Sequence, residues 1–195
     1  MPLFKKLVVK EIKRETKDAV SILFNVPEEF KSHYAFIAGQ YVNLRLTLDG
    51  QEIRRAYSIC ADPESGELRI AVKAVKNGKF SQFANTKLKV GDVLEVGKPE
   101  GKFTFEPHTD RQKNYAAFVA GSGITPVISI LKSVLKSEPQ SSFVLVYGNK
   151  SRDVCKPSLL RIRHRIDPLH DRENLQSQMT IAPCLQRFQW PCAAS

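Results

Sequence analysis

Cysteine is scarce in this chain and scattered where it occurs: Cys60, Cys155, Cys184 and Cys192 are the four in 195 residues. No pair has C-x-x-C spacing and no C-x₄-C-x₂-C run appears, which excludes the familiar iron–sulfur and structural zinc patterns. The last three stand 29 and 8 residues apart and do not substitute. No metal site and no iron–sulfur cluster are therefore expected in this chain. Free thiols suit a reducing compartment, so a cytoplasmic location is expected. Long apolar runs are missing as well. Nothing reaches the roughly 18 residues that mark a spanning helix, and no membrane association is expected. Met1-Pro2-Leu3-Phe4-Lys5-Lys6 lacks the apolar stretch and small-residue cleavage site of a signal peptide. Low-complexity segments and internal repeats are absent too.

What is present is an ordinary globular composition, 42% apolar and 26% charged. The length suits one large domain or two small ones, with a core that needs no staples. Net charge is +10. The lysines, however, are scattered and alternate with acids, and no basic run or interleaved aromatic pattern marks a nucleic-acid surface. No nucleic-acid partner is expected. Such a surface also suits phosphate-bearing ligands or an acidic partner protein.

Residues 1–108 read as an antiparallel β-barrel of Greek-key type with six or seven short strands. Strands are expected over Lys6 to Ile12, Ala19 to Val26, Gln40 to Leu48, Arg54 to Ile59, Leu68 to Val75, Asp92 to Val96 and Lys102 to Phe105. In the third, Val42, Leu44, Leu46 and Leu48 alternate on one face. Asp49-Gly50 is a hairpin turn signal. Lys79 to Thr86 is expected to be the one helix of this part.

The pattern changes after His108. Tyr115 to Ala120 suits a buried parallel strand. Thr125 to Ser137 carries Val127, Ile128, Ile130, Leu131, Val134 and Leu135 in a helical stripe, and Phe143 to Tyr147 is a second apolar strand. Strand, helix, strand over 112–151 is one βαβ unit of an α/β nucleotide-binding domain. Residues 152–195 then change character. They hold one Lys and 6 Arg against 17 Lys and 6 Arg before them, and all ten glycines lie at or before Gly148. They carry the one tryptophan, Trp190, and no clear helix or strand period. The expectation is that this tail is not the natural continuation of the domain, as a shifted or truncated reading frame would leave it. The alternative is a divergent, loop-rich ending.

Three segments carry chemistry. In Arg55-Ala56-Tyr57-Ser58, Arg55 has a planar fork suited to phosphate, Tyr57 a flat ring for stacking, and Ser58 a hydroxyl. Arg55 and Tyr57 share one strand face, with Ser58 on the other unless the strand bends. Alone, the segment reads better as an edge strand with a solvated arginine and a half-buried tyrosine. Gly78-Lys79-Phe80-Ser81 follows a strand. If Ser81 opens a helix, its N–H groups would hold a pyrophosphate, although Asn77-Gly78 is also a hairpin signal. Gly121-Ser122-Gly123-Ile124-Thr125-Pro126 joins an apolar strand to an amphipathic helix, the setting of a phosphate-binding turn. Pro126 suits a first helical turn, but it stands where the dinucleotide fingerprint has its last glycine.

In this order the three segments resemble the ferredoxin–NADP reductase superfamily, whose members join a flavin-binding barrel to a nicotinamide-binding α/β domain. Ile70-Ala71-Val72-Lys73 and Pro99-Glu100-Gly101-Lys102-Phe103 resemble the subgroup of reductase subunits of ring-1,2-phenylacetyl-CoA epoxidases, over residues 3–151. The resemblance implies FAD as cofactor and NADPH or NADH as co-substrate. It implies that Tyr57 and Ser58 act at the reacting centre, Ser58 near flavin N5, with Arg55 also on the flavin. Val72 and Lys73 would lie along the flavin, and Gly78, Phe80 and Ser81 would hold its pyrophosphate. Gly121, Gly123, Thr125 and Pro126 would lie under the nicotinamide nucleotide, and Lys150 and Ser151 would meet its adenosine ribose or 2′-phosphate. The implied acceptor is an iron–sulfur protein or oxygenase component. Two elements of the family are missing: a Cys-Gly-x-Pro motif, and the plant-type [2Fe–2S] cysteine run of related proteins. The expected activity is that of an NAD(P)H-dependent flavin oxidoreductase, turning over poorly because the nicotinamide part looks half built. Apolar faces such as those of Val144 and Val146 are expected to lack cover. A non-catalytic flavin-binding subunit of a redox complex and a basic barrel of the OB type are the competing readings.

Overall fold

The structure, a computed structural model, describes residues 4–148 and the backbone of Ser158–Arg163. Six strands form one antiparallel sheet: β1 (Phe4–Thr16), β2 (Ala19–Asn25), β3 (Tyr41–Leu48), β4 (Gln51–Ser58), β5 (Leu68–Lys73) and β6 (Val93–Gly97), in the order β4-β3-β6-β1-β2-β5. The long β1 makes this possible. Its first half pairs with β6 and its second half with β2, so one strand carries the sheet around the core. Alternation in β3 puts Val42 and Leu44 at zero exposure, while Leu46 and Leu48 pack against the same core half-buried. Asp49 and Gly50 both take positive φ, 49° and 73°, as a two-residue hairpin of this hand requires.

The sheet curls, but its two ends meet at one bridge, Ile59 with Ile70. The edge is therefore still open along most of β4. Helix α1 (Lys79–Thr86) packs beside that seam, burying Phe80 and Ala84 in the barrel core. No strand forms at Lys102 to Phe105, contrary to expectation. Phe103 is 62% exposed there, and Phe105 N–H is bonded to Ala38 O at 3.0 Å. These residues turn toward the second part instead of joining a ladder.

The second part is the expected βαβ unit. Strand β7 (Asn114–Ala120) runs parallel to β8 (Ser142–Gly148), and α2 (Ile124–Ser137) crosses between them. Val127, Leu131 and Val134 of α2 pack on Phe143 and Leu145. The expectation of a strand buried on both faces is corrected at β7. Tyr115, Ala117 and Val119 face the helix, but Phe118 on the other face is 81% exposed. One helix covers one face, and nothing among the described residues covers the other. Val144 and Val146, on that open face, are half-buried. The tail contains a regular element. Strand β9 (Ser158–Arg163) pairs antiparallel with β8, so regular structure continues where no period was visible. The rest of residues 149–195 lies outside the described residues.

Candidate functional site

Strand β4 ends the sheet, and its ladder with β3 runs from Leu48↔Gln51 to Tyr41↔Ser58 without a shift. With no bulge, alternation decides the faces. Ile53 points into the core, so Arg55 and Tyr57 share its face and Ser58 lies on the opposite one. A ligand reaching both Tyr57 and Ser58 must cross the free edge of β4. Arg55 is exposed, its Nη1 donating to Arg54 O at 2.7 Å. Tyr57 is half-buried, its ring 5.3 Å from that of Phe80. Burial pushes its phenol up to about 12, and the neighbouring Arg55 charge offsets part of this. The hydroxyl, protonated at physiological pH as an ordinary phenol is, becomes still harder to ionise and remains a donor.

The Gly78 segment is built differently from its sequence reading. Asn77 takes φ 62°, Gly78 caps the helix, and Lys79 opens it, so Ser81 sits at the third helical position. Ser81 is buried. Its hydroxyl accepts from Val75 N–H at 3.2 Å and donates to Gly78 O at 3.1 Å. A Cβ on Gly78 would overlap Ser81 Oγ and stand 2.5 Å from Val75 Cγ2. Only a residue without a side chain fits. No side chain caps α1. The N–H groups of Lys79, Phe80 and Ser81 precede the reach of any helical carbonyl and face out of the helix end. Lys79 is tied by its Nζ to Gln51 Oε1, at the far end of β4.

Three of the expected site residues turn their side chains inward. Val72 has zero exposure inside the core, and its carbonyl accepts from Asn85 Nδ2 at 3.1 Å. Phe80 is 1% exposed, also in the core, and Ser81 is occupied as above. These residues can meet a ligand through backbone alone. Lys73 is half-buried and paired with Asp18 at 3.6 Å.

At the second turn, Gly121–Gly123 form a 3-10 turn that runs directly into α2. Gly121 holds φ 54°, a left-handed value that favours glycine, and its carbonyl accepts from the Tyr147 hydroxyl at 3.2 Å. Gly123 has φ −61°, and an added Cβ would meet Val119 at an ordinary 3.5 Å. Thr125 Oγ1 donates to Ser122 O at 2.9 Å, and Pro126 falls within the first turn, where its missing N–H costs nothing. No side chain caps α2. Lys150 and Ser151 lie outside the described residues, as do Cys155, Cys184 and Cys192.

Contacts that the sequence reading missed join the two parts. Ser129 Oγ donates to Ala61 O at 2.6 Å, and Lys132 Nζ to Cys60 O at 3.1 Å. Lys136 bridges Asp62 at 3.1 Å and Glu64 at 3.0 Å. The available signal was a polar stripe at 129, 132, 133 and 136 on a helix whose apolar stripe is 127, 131 and 134. Cys60 is fully buried, and burial pushes its thiol up to about 11, so it packs rather than reacts. A groove of about 580 Å³ beside Arg45, Leu48, Phe83 and Glu95 holds none of the expected residues. Among the described residues no helix is long and apolar enough to cross a membrane, and no cluster of His, Cys, Asp and Glu could hold a metal.

Comparison with known proteins matches the chain to two family models. One, described as Oxidoreductase FAD-binding domain, covers residues 6–105. The other, Oxidoreductase NAD-binding domain, covers residues 118–174. The chain is 44% identical over 151 residues to a 1,2-phenylacetyl-CoA epoxidase subunit from Escherichia coli (strain K12), covering 77% of this chain and 42% of that one. It is 37% identical over 146 residues to the ferredoxin reductase component of 3-ketosteroid-9-alpha-monooxygenase of Rhodococcus rhodochrous, covering 74% of this chain and 40% of that one. The chain thus spans less than half the length of these relatives. Among solved structures it superimposes on phthalate dioxygenase reductase with a TM-score of 0.62 and 26% identity, over 76% of this chain and 44% of that one.

Proposed function

This chain belongs to the ferredoxin–NADP reductase family of FAD- and NAD-binding oxidoreductases, and from that premise we propose that it is an FAD-dependent NAD(P)H oxidoreductase delivering electrons to an iron–sulfur or oxygenase component. The observation that carries the reading is the open seam of the barrel. An edge strand bearing Arg55 and Tyr57 stands beside the uncapped N-terminus of α1, whose Gly78 leaves no room for a side chain. That donor set fits a dinucleotide flavin. Three N–H groups and one guanidinium suit a pyrophosphate, and an aromatic face beside them suits a flat ring system.

When bound, a flavin accepts a hydride from a reduced nicotinamide and releases the electrons singly, chemistry that belongs to the cofactor. The chain's residues bind and orient. Arg55 and the N–H groups of residues 79–81 hold phosphate. Tyr57, neutral at physiological pH and backed by Phe80, offers its ring and a donor hydroxyl. Ser58, across the strand edge, supplies a hydrogen bond at the reacting position. Val72, Lys73, Phe80 and Ser81 position the backbone. The Gly121 turn and the N-terminus of α2, with Thr125 and Pro126, hold the nicotinamide nucleotide, and Lys150 and Ser151 hold its adenosine end. An acceptor of the phenylacetyl-CoA epoxidase type is supported by the 44% identity. A cytoplasmic setting is supported by the free thiol of Cys60.

The test is spectroscopic. Purified chain reconstituted with FAD should show the visible flavin band, and the band should bleach anaerobically on adding NADPH or NADH. Protein that stays colourless after reconstitution refutes the flavin reading. A yellow protein that neither nucleotide bleaches would be a binding subunit rather than an enzyme.

A further inference from the structure

Helix α2 has two working faces. Val127, Leu131 and Val134 seat it on its own sheet. Ser129, Lys132, Ser133 and Lys136 turn to the barrel, where they grip residues 60–64. Ser129 has zero exposure, and its small side chain brings the helix close enough for a 2.6 Å bond to Ala61 O. The Lys132 ammonium reaches Cys60 O at 3.1 Å, while Asp62 takes Ser133 at 3.3 Å and Lys136 at 3.1 Å.

The segment they grip is itself fixed. Cys60 N–H donates to Arg69 O at 2.9 Å, beside the Ile59–Ile70 bridge that closes the barrel. Asp62 accepts from Glu64 N–H at 3.3 Å, and Ser65 Oγ donates to Asp62 O at 2.6 Å. Ser58 stands immediately before this anchored stretch. The other end of α2 is held as well. Buried Glu138 accepts from Ser141 Oγ at 2.7 Å, Tyr115 OH at 2.8 Å, His108 N–H at 3.1 Å and Arg111 at 3.3 Å. The connector between the two parts is therefore pinned to the helix it precedes.

We propose that Ser129, Lys132 and Lys136 are positioning residues: they latch α2 to residues 60–64 and so fix the α2 N-terminus, where the nicotinamide is held, relative to Ser58, where the flavin is held. This rests on the oxidoreductase reading above. Ser129 follows Ile124 by five residues, about 7.5 Å along the helix axis. A shift at the latch is thus passed to the helix end with little attenuation. Hydride transfer is sensitive to such shifts, because reacting atoms must approach to about 3–3.5 Å and a misplacement of about 1 Å costs roughly 100-fold in rate.

The experiment uses the full chain reconstituted with FAD, with Ser129→Ala, Lys132→Met, Lys132→Arg and Lys136→Ala. FAD affinity should stay within about twofold of the parent, because the flavin-side groups belong to the barrel. Anaerobic flavin reduction by NADPH and NADH should slow about 10- to 100-fold in Ser129→Ala and Lys132→Met. The isotope effect with C4-deuterated nucleotide should rise, which a change in binding alone would not produce. Amide exchange over residues 60–65 and 106–113 should quicken, and Lys132→Arg should recover most of the rate. Lys136 is half exposed, so its alanine variant tests the latch where unfolding is not at issue; exchange should rise and the rate should fall a few-fold. Parent-like reduction rates with an unchanged isotope effect in Ser129→Ala and Lys132→Met would overturn the proposal, as would unchanged exchange in all variants. If the parent binds FAD but neither nucleotide reduces it, the oxidoreductase reading fails, and the exchange measurements alone then decide whether the latch exists.

Discussion

Replacing Gly78 by alanine adds one methyl group at the most crowded point of the proposed flavin site. The backbone itself tolerates alanine, since φ is −79°. The space does not. The new Cβ would overlap Ser81 Oγ and stand 2.5 Å from Val75 Cγ2. Val75 is 56% exposed and can swing aside at little cost. Ser81 is 5% exposed, and its hydroxyl holds both Val75 N–H and Gly78 O, so rotating it breaks two bonds. Leaving such groups without partners costs about 1–3 kcal/mol. The loss of chain entropy in the unfolded state returns about 0.4–1 kcal/mol of this. The expected net loss is about 1–2 kcal/mol. In urea, with a slope of about 2 kcal/mol/M, the midpoint should fall by roughly 0.5–1 M. Because N–H groups 79–81 move with the cap, FAD affinity should fall about tenfold, equivalent to about 1.4 kcal/mol. Gly78→Ala combined with Ser81→Ala removes one of the two clashes, so the pair should be less destabilised than the sum of the single variants. The measurements are urea titration by far-ultraviolet circular dichroism and flavin fluorescence quenching. A Gly78→Ala protein with parental midpoint and parental FAD affinity would refute the reasoning.

Two further outcomes are expected. Burial opposes the charge on Glu138, but hydrogen bonds from Ser141, Tyr115 and His108 N–H, with the Arg111 charge, outweigh it and hold the carboxyl below its ordinary 4.5. A carboxyl depressed in the folded state stabilises fully above its unfolded pKa, and that contribution is lost as pH falls through the folded value. Glu138→Gln should therefore cost about 1–3 kcal/mol at neutral pH, and the gap from the parent should narrow in acid; urea titrations that show a constant gap would contradict this. Phe118→Lys, at an 81% exposed position on the open sheet face, should change stability by no more than about 0.5 kcal/mol while reducing self-association in sedimentation; an unfolded variant, or unchanged association, would show that the face is covered.

Features set by a short stretch of chain were legible in advance. Helix α1 spans Lys79–Thr86 as expected, and Asp49-Gly50 makes the expected turn, because each depends on neighbouring residues alone. Features set by what lies on top were not. The run Tyr115 to Ala120 is apolar at nearly every position, so periodicity cannot tell a strand covered twice from one covered once, and Phe118 faces outward. Lys102 to Phe105 has the composition of a strand, but Phe105 spends its N–H on Ala38 O at the junction with the second part. The polar stripe of α2 was invisible for a related reason. A search for apolar periodicity treats Ser129 and Lys132 as the solvent face, whereas here that face is a second interface.

The Gly78 segment shows that the letters of a motif do not say which atoms face outward. Its letters suggest that Gly, Phe and Ser each touch a ligand. In the fold, Phe80 fills the core beneath Tyr57, Ser81 ties the turn together, and Gly78 makes room for that tie. What remains for a ligand is the row of N–H groups that these three residues aim. Phe80→Ala should then act on a flavin in two ways at once: it tilts the helix end that holds phosphate, and it removes the ring against which Tyr57 rests. Arg55 stands apart from this, since it is exposed and its side chain donates a hydrogen bond to its neighbour's carbonyl. The site thus divides into a guanidinium free to meet phosphate and a backbone cradle whose precision is a property of the barrel core.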